Sequence, residues 1–386
     1  AEARLRAARA LHRVDGAQFR PQLGLRTSNP IDPDATASYL VAGFDSIWEL
    51  GLFGRAQAMH RIVRGDLEAA QADVDEARVS VVAEVARDWI TLRAARRRES
   101  HLARIRDLRA RQAMLTGTRL QLHIASPLQV AQARIALAQA DAALAEPRAA
   151  AASAAQALAV LLGRAEPEAA WAKGGALPVL QDMPVTRAPA DLLRTRPDVA
   201  HAQAAVLGAA GMLGIAKANR YPTVAIGGSI VMSSSEASRR TTSTGVIGSI
   251  GPIIEIPLFD WGLRRAKAEA KSEDLQAAAL AYRKTVLTAV AEVESVLAAL
   301  EQQRMLEQDT LKVLRVSEEF ARGAEHRERL GLGSGLDSAA SNADREQAAL
   351  DVDAARAGRA LQYIALCKAL GGQGQSTLPL PAAGER

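Results

Sequence analysis

The chain has 386 residues, of which 48% are hydrophobic but only 3% aromatic, and 48 Lys and Arg against 43 Asp and Glu leave a net charge of +5. A single cysteine and six histidines scattered without ligand spacing (His12, His60, His101, His123, His201, His326) exclude a disulfide framework and a metal centre. Basic stretches without aromatic interleaving set nucleic-acid binding aside, and no nucleophile-base or paired-carboxylate arrangement supports an enzyme or a cofactor.

Two internal copies organise the chain. Ser126, in Leu122-His-Ile-Ala-Ser-Pro-Leu-Gln129, returns as Ser334 in Leu330-Gly-Leu-Gly-Ser-Gly-Leu-Asp337, 208 residues on (334 − 126). Leu162-Gly163 and Leu370-Gly371 repeat that step, and Leu52-Phe53 and Leu258-Phe259 stand 206 apart (258 − 52). The proline turns Phe19-Arg-Pro21 and Tyr221-Pro222 occupy corresponding places.

Taken in order, the chain opens at Ala1 inside a helical pattern with neither Met nor signal peptide, and reads as processed or a fragment. The first copy, residues 1–163, continues with strands near 21–28 and 38–48. Leu40, Ala42, Phe44, Ser46 and Trp48 fall on one face and Tyr39, Val41, Gly43, Asp45 and Ile47 on the other, the period of a strand. A helical hairpin over about 49–163 follows, with a short apolar seam of Val82, Val85, Trp89 and Leu92. Its arginines (Arg93, Arg96, Arg97, Arg98, Arg104, Arg106, Arg109, Arg111) read as a solvated face. Pro147 removes a helical hydrogen bond, so a kink or break is expected near Glu146.

Residues 164–190 gather Pro167, Gly174, Gly175, Pro178, Pro184 and Pro189 and separate the copies. The second copy, 191–371, carries a helix, strands near 223–233 and 245–257, a hairpin over about 260–371, and then a tail, 372–386. Leu275, Ala279, Tyr282, Val286, Ala289, Val293, Val296 and Leu300 alternate steps of four and three, a coiled-coil seam, as do Leu350, Ala354, Ala357, Leu361 and Ile364. One helix from Asp260 to Leu330 would reach about 100 Å at about 1.5 Å per residue. Gly331-Leu-Gly-Ser-Gly335 lacks the Gly-Lys-Ser/Thr ending of a phosphate loop and reads as a turn. Cys367 lies on an apolar stretch and reads as a packed hydrophobe.

The fold class is therefore mainly α with β, a duplicated unit of strand, strand, long helix, turn and long helix. No stretch of about 18 to 20 uncharged apolar residues is seen, so no transmembrane helix is expected. A β-barrel wall, however, is written in alternating segments of about ten residues. Four strands cannot close a barrel that starts at about eight, and lipid does not tolerate open strand edges. A membrane reading requires several chains to share one barrel.

Pro189-Ala-Asp-Leu-Leu-Arg-Thr-Arg-Pro-Asp198, followed by Ala202, Ala205, Leu207, Ala210, Ile215, Ala216, Ala218 and Tyr221-Pro222, resembles the signature of the outer-membrane factors of tripartite efflux pumps. More narrowly, it is similar to the OprM-like, NodT-type lipoprotein branch of the TolC superfamily. Trp48-Glu-Leu-Gly-Leu-Phe-Gly-Arg55 resembles that branch's strand-to-helix motif, with Ile256-Pro-Leu-Phe-Asp-Trp-Gly262 as its second-copy partner. The resemblance spans nearly the whole chain. It implies a homotrimer whose chains contribute four strands each to an outer-membrane β-barrel, continuous with a periplasmic α-helical barrel and a mixed equatorial belt drawn from 164–190 and the tail. The implied function is a passive exit duct for small molecules, working with a periplasmic adaptor (membrane fusion protein) and an inner-membrane transporter of the RND type, in contact with outer-membrane lipid. The branch's lipidated N-terminal Cys is missing, as expected if the first segment is absent.

The resemblance also implies that the hairpin tips contact the adaptor: His123, Ala125, Ser126, Pro127 and Leu128 in copy one, and Gly331, Gly333, Ser334, Gly335 and Leu336 in copy two. Acids just past the tips line a closed aperture in the family. Asp337 holds that place in copy two, and Gln129 stands where copy one usually has an acid. A ring of three Asp337 carboxylates would attract cations, although Asp337 is equally placed to cap its helix, worth about 0.5 to 2 kcal/mol. Other departures are His123 for a glycine, Ala340 for a second acid, and Glu328 and Gly333 for a tyrosine and arginine. Two rival functions remain: a soluble coiled-coil scaffold, and the periplasmic adaptor itself, which has one helical hairpin beside β-rich domains where this chain has two hairpins and few strands.

Overall fold

The computed structural model describes residues 1–28, 39–180, 196–235 and 244–372. Helix α1 (Glu2–Arg13) leads into strands β1 (Gln22–Ser28) and β2 (Tyr39–Glu49), then α2 (Arg55–Gln121), α3 (Pro127–Ala142) and α4 (Ala145–Leu161). Copy two repeats the order with α5 (Pro197–Ala218), β3 (Thr223–Ser235), β4 (Thr244–Glu255), α6 (Leu263–Arg329) and α7 (Gly335–Ala369). Helices α2 and α6 have 67 residues each, starting in the same place in each copy. Most of the Leu-Leu-Arg-x-Arg-Pro-Asp signature and residues 181–190 lie outside the described residues, as does the tail from 373.

The chain divides into two compact units, residues 1–76 with 194–287 and residues 77–193 with 288–386. The first holds the four strands, which form one antiparallel sheet in the order β1-β2-β3-β4. Its middle ladder joins the two copies, with Phe44 opposite Ile230 and Trp48 opposite Ile226. Residues opposite one another share a face, so the registers sort the sheet into two sides. One side carries Leu23, Leu25, Phe44, Trp48, Ile226, Ile230, Met232, Val246, Ile250 and Ile254, all exposed or close to it. The other carries Gln22, Arg26, Asp45, Ser229, Ser249, Glu49 and Glu255 among small residues, together with Ile47, Val231, Ile247 and Ile253. On it, Arg26 meets Asp45 at 3.4 Å and the Ser229 and Ser249 hydroxyls are 2.8 Å apart.

Below the sheet in sequence, small residues set the helix spacing of this unit. A Cβ on Gly211 would come within 2.7 Å of the Ala58 carbonyl and of the Ile62 side chain, and one on Gly65 within 2.9 Å of Gly208 N. Helices α2 and α5 therefore touch backbone to backbone, which only glycine permits. Residues 199–216 of α5 hold no Asp, Glu, Lys or Arg, so by length and composition this helix is apolar enough to cross a membrane, contrary to the expectation from sequence. Its glycines and alanines instead serve the contact with α2.

The strand-to-helix turns repeat in conformation. Phe53 and Gly54 have φ of 53° and 80°, and Trp261 and Gly262 have 56° and 83°. Phe53 stacks on Tyr221 with centroids 5.1 Å apart, and the Trp48 Nε1–H donates to the Phe19 carbonyl at 2.9 Å.

In the second unit the helix period is a strict heptad. Ala289, Val293, Val296, Leu300, Gln303, Glu307, Thr310, Leu314, Ser317, Ala321, Ala324 and Glu328 of α6 step by four and three, and every one is buried or half-buried. Ala279 and Ala354, expected on the seams, are exposed; Ala355 is buried in place of Ala354. Leu92, Ala95, Ala151, Ala154, Ala155 and Leu158 form one cluster, with Trp89 and Trp171 against it. The break expected near Pro147 falls at Ala143 and Leu144. Pro147 becomes the third residue of α4, fully buried, where the missing N–H would have had no helical acceptor.

Gly211→Leu should lower stability by about 1 to 3 kcal/mol through overpacking against α2, read as a lower thermal midpoint by circular dichroism. Gly117→Ala, where nothing lies within 4 Å of the new Cβ, should be neutral or stabilising by up to about 1 kcal/mol.

Candidate functional site

Chain reversal at the two tips is built from the same parts. Helix α2 stops at Gln121 and His123 takes φ 60°; α6 stops at Arg329 and Gly331 takes φ 71° at the equivalent position. A histidine in the left-handed region costs roughly 1 to 2 kcal/mol, so copy one carries strain that glycine removes in copy two. Ser126 and Ser334 then act as N-caps, the first accepting from Gln129 N at 3.3 Å and the second from Leu336 N at 3.1 Å.

The third helical position separates the copies. In copy one the Gln129 side chain folds back to accept from the Ser126 N–H at 2.8 Å, completing a capping box. In copy two the same position is Asp337, which is exposed and accepts no side-chain hydrogen bond among the described residues. Its backbone carbonyl accepts from the Ser341 hydroxyl at 2.8 Å. Around these positions His123, Ser126, Pro127, Leu128, Gly331 and Gly333 are exposed, whereas Ala125, Ser334, Gly335 and Leu336 are half-buried. Gly335 sits against Glu328 and Leu115 with room for no more than a tight Cβ.

Sequence reasoning missed an ion-pair seam. The arginines of α2 are not simply a solvated face: Arg97 pairs with Asp353, Arg104 with Glu346 at 2.9 Å and Arg111 with Glu328 at 2.9 Å. These arginines recur every seven residues, as Glu346 and Asp353 do, and that spacing was the available signal. A second row points elsewhere, with Arg98 to Glu146 and Arg148 to Glu99. Within the α6–α7 hairpin, Arg356 and Arg359 flank the buried Glu307 at 3.1 and 2.9 Å.

At the centre of the seam lies His101, 5% exposed. Its Nδ1 is 2.8 Å from Glu346 Oε2 and its Nε2 is 3.0 Å from Asp353 Oδ2. A carboxylate only accepts, so two such bonds require both ring nitrogens to donate, and the ring is an imidazolium. Hydrogen bonds to Asp353 and Glu346 raise its pKa above the ordinary 6.5. The His101 bond, aided by Arg345 and Arg104, holds Glu346 down at about 2 despite burial. Burial alone would raise Asp353, but His101 and Arg97 keep it below its usual range.

The signs of these shifts fix the pH response. A raised His101 stabilises the folded chain fully below 6.5, and that contribution is lost as pH rises through its elevated value. The lowered Glu346 stabilises above 4.5, and its contribution is lost as pH falls toward about 2. His101→Ala leaves two carboxylates facing a void and should cost about 3 kcal/mol. Chemical denaturation across pH should show the wild-type loss on the alkaline side, and the variant should lack it.

A family model described as outer membrane efflux protein matches residues 1–164 and 188–372. Nodulation protein T of Rhizobium leguminosarum bv. viciae is 28% identical over 374 residues, covering 95% of this chain and 75% of that protein. Outer membrane protein OprJ of Pseudomonas aeruginosa is 27% identical over 384 residues, covering 95% and 79%. Among solved structures, the outer-membrane channel OprN superposes with a TM-score of 0.82 at 26% identity, covering 96% of this chain and 85% of that one. The open state of the Neisseria gonorrhoeae MtrE outer membrane channel gives 0.79 at 25% identity, covering 95% and 84%.

Proposed function

This chain belongs to the outer membrane efflux protein family, and on that premise we propose that it is the passive exit channel of a tripartite efflux system. The observation that carries this reading is the sheet. One side is apolar from Leu23 to Ile254 and the other holds all the charged strand residues, from Gln22 to Glu255, beside Ile47, Ile247 and Ile253, while among the described residues β1 and β4 each have a neighbour on one side only. A lipid-facing sheet with free edges is unstable because hydrocarbon offers no hydrogen-bond partners. Three copies of the four-strand sheet supply 12 strands (3 × 4) and close it, with the apolar side against lipid and the polar side lining the duct.

The remaining parts follow. The helices continue the duct through the periplasm, with residues 164–190 as part of its equatorial belt. The tips at His123 to Leu128 and Gly331 to Leu336 meet a periplasmic adaptor, and an RND-type inner-membrane transporter supplies the energy. Nothing in the duct needs to react with cargo, so it acts as a conduit and not as a catalyst, and cargo is selected upstream. Asp337 is the aperture acid. Its free carboxylate supports that role, whereas Gln129, engaged with the Ser126 amide, is held in its cap and contributes less.

Two experiments test this. Deleting Gly331 to Leu336 should abolish efflux in susceptibility assays while outer-membrane insertion and trimers on native gels persist; unchanged resistance would sink the adaptor role. Asp337→Ala should raise cation leak and single-channel conductance in planar bilayers, and an unaltered current-voltage curve would remove Asp337 from the aperture.

A further inference from the structure

The internal repeat specifies more than a shared barrel, because the copies meet inside one chain in a way that can be carried to the contact between chains. The step from α2 to α6 is 208 residues (263 − 55), and the left-handed residues Phe53 and Trp261 keep it, so Phe53 corresponds to Trp261 and not, as the 206-residue step suggested, to Phe259. The step from Pro21 to Pro222, ahead of β1 and β3, is 201 (222 − 21). Applied together, the two steps carry Gln22↔Ile47 of the β1–β2 ladder onto Thr223↔Glu255 of the β3–β4 ladder, a pair that is present.

The β2–β3 ladder is the one place where a strand of copy one meets a strand of copy two. In a ring of chains, β4 of one meets β1 of the next in the same relation. Moving β2 residues on by 208 and β3 residues back by 201 turns Ile47↔Gly227 into Glu255↔Arg26 and Trp48↔Ile226 into Ile256↔Leu25. The bond from Leu50 N to the Val224 carbonyl becomes one from Leu258 N to the carbonyl of Leu23. The stack of Phe53 on Tyr221 becomes Trp261 on Arg20.

Each result could have failed, and none does. Glu255 and Arg26 lie on the same, polar side of the sheet and have opposite charge. Leu23, 73% exposed, and Leu258, 89% exposed, come together and cover one another. Trp261, 91% exposed, receives a guanidinium where its counterpart Phe53 has a ring, a favourable cation–π pairing. Arg26, already 3.4 Å from its own Asp45, gains a second carboxylate.

Resting on the shared-barrel reading, we propose that β4 of one chain pairs antiparallel with β1 of a second copy in the register that sets Glu255 opposite Arg26 of that copy, with Trp261 over its Arg20. The inter-chain seam is then charged at the point where the internal seam is Ile47 beside Gly227.

The test is disulfide cross-linking in outer membranes, in a chain whose single cysteine is removed by Cys367→Ala. Glu255→Cys with Arg26→Cys should give reducible dimer and trimer bands on denaturing gels, several-fold above the slipped pairs Ile253→Cys with Arg26→Cys and Pro257→Cys with Arg26→Cys. A slipped residue stands outside the roughly 4.4 to 6.8 Å Cα separation that a disulfide bridges. Stronger cross-linking in either slipped pair, or none in a chain that native mass spectrometry finds trimeric, overturns the register and leaves the shared barrel standing. A chain that stays monomeric in every variant overturns both. Independently of cysteine, Glu255→Arg and Arg26→Glu should each lower the thermal midpoint of the trimer, and adding Glu255→Arg to Arg26→Glu should raise it above that of Arg26→Glu alone, the lost contact with Asp45 being common to both; no rise counts against the pair.

Discussion

An antiparallel sheet of four strands with one apolar side cannot stand alone in hydrocarbon, because the outward N–H and C=O groups of β1 and β4 have no partner there. Everything else about the first unit serves that constraint. The middle ladder places copy one against copy two, and the strand-to-helix turns fix where each strand ends with a left-handed residue and a glycine. Close α2–α5 contact through Gly65, Gly208 and Gly211 holds the helices beneath strands at a spacing that larger side chains would widen.

In the second unit, alanine does the packing and charge supplies the specificity. Alanine buries little area per residue, so apolar contact alone fixes register weakly. The salt links of Arg97, His101, Arg104 and Arg111 recur at heptad spacing, and a slip of α7 by one turn would separate His101 from both carboxylates at once. Buried ion pairs contribute modestly to stability but strongly penalise wrong arrangements. His101 thus sets the register of the hairpins.

Much of this was legible before any coordinates. The alternation of Phe44, Ser46 and Trp48, the heptads of α6 and the 208-residue step gave the element order, because periodicity and repetition are properties of sequence alone. Three matters were not. The arginine face reads as solvated, since the partners of Arg97, Arg104 and Arg111 lie 256, 242 and 217 residues away and only the fold brings them near. The spacing from Leu350 puts Ala354 on a seam that Ala355 occupies, since between two adjacent alanines the phase is invisible to composition. At Gln129 and Asp337 the spacing is identical, and only side-chain direction distinguishes a cap from an exposed acid.

That difference between the tips has a mechanical consequence. The first turn is closed by a reciprocal cap and a proline at the start of α3, so its backbone has few alternatives to lose or gain. The second has Gly331, Gly333 and Gly335 within five residues and one cap bond. Glycine multiplies the accessible backbone states, so the second turn loses more backbone freedom on folding than the first. One repeated turn thus holds its shape through a reciprocal cap and the other through glycines that fit where side chains would not.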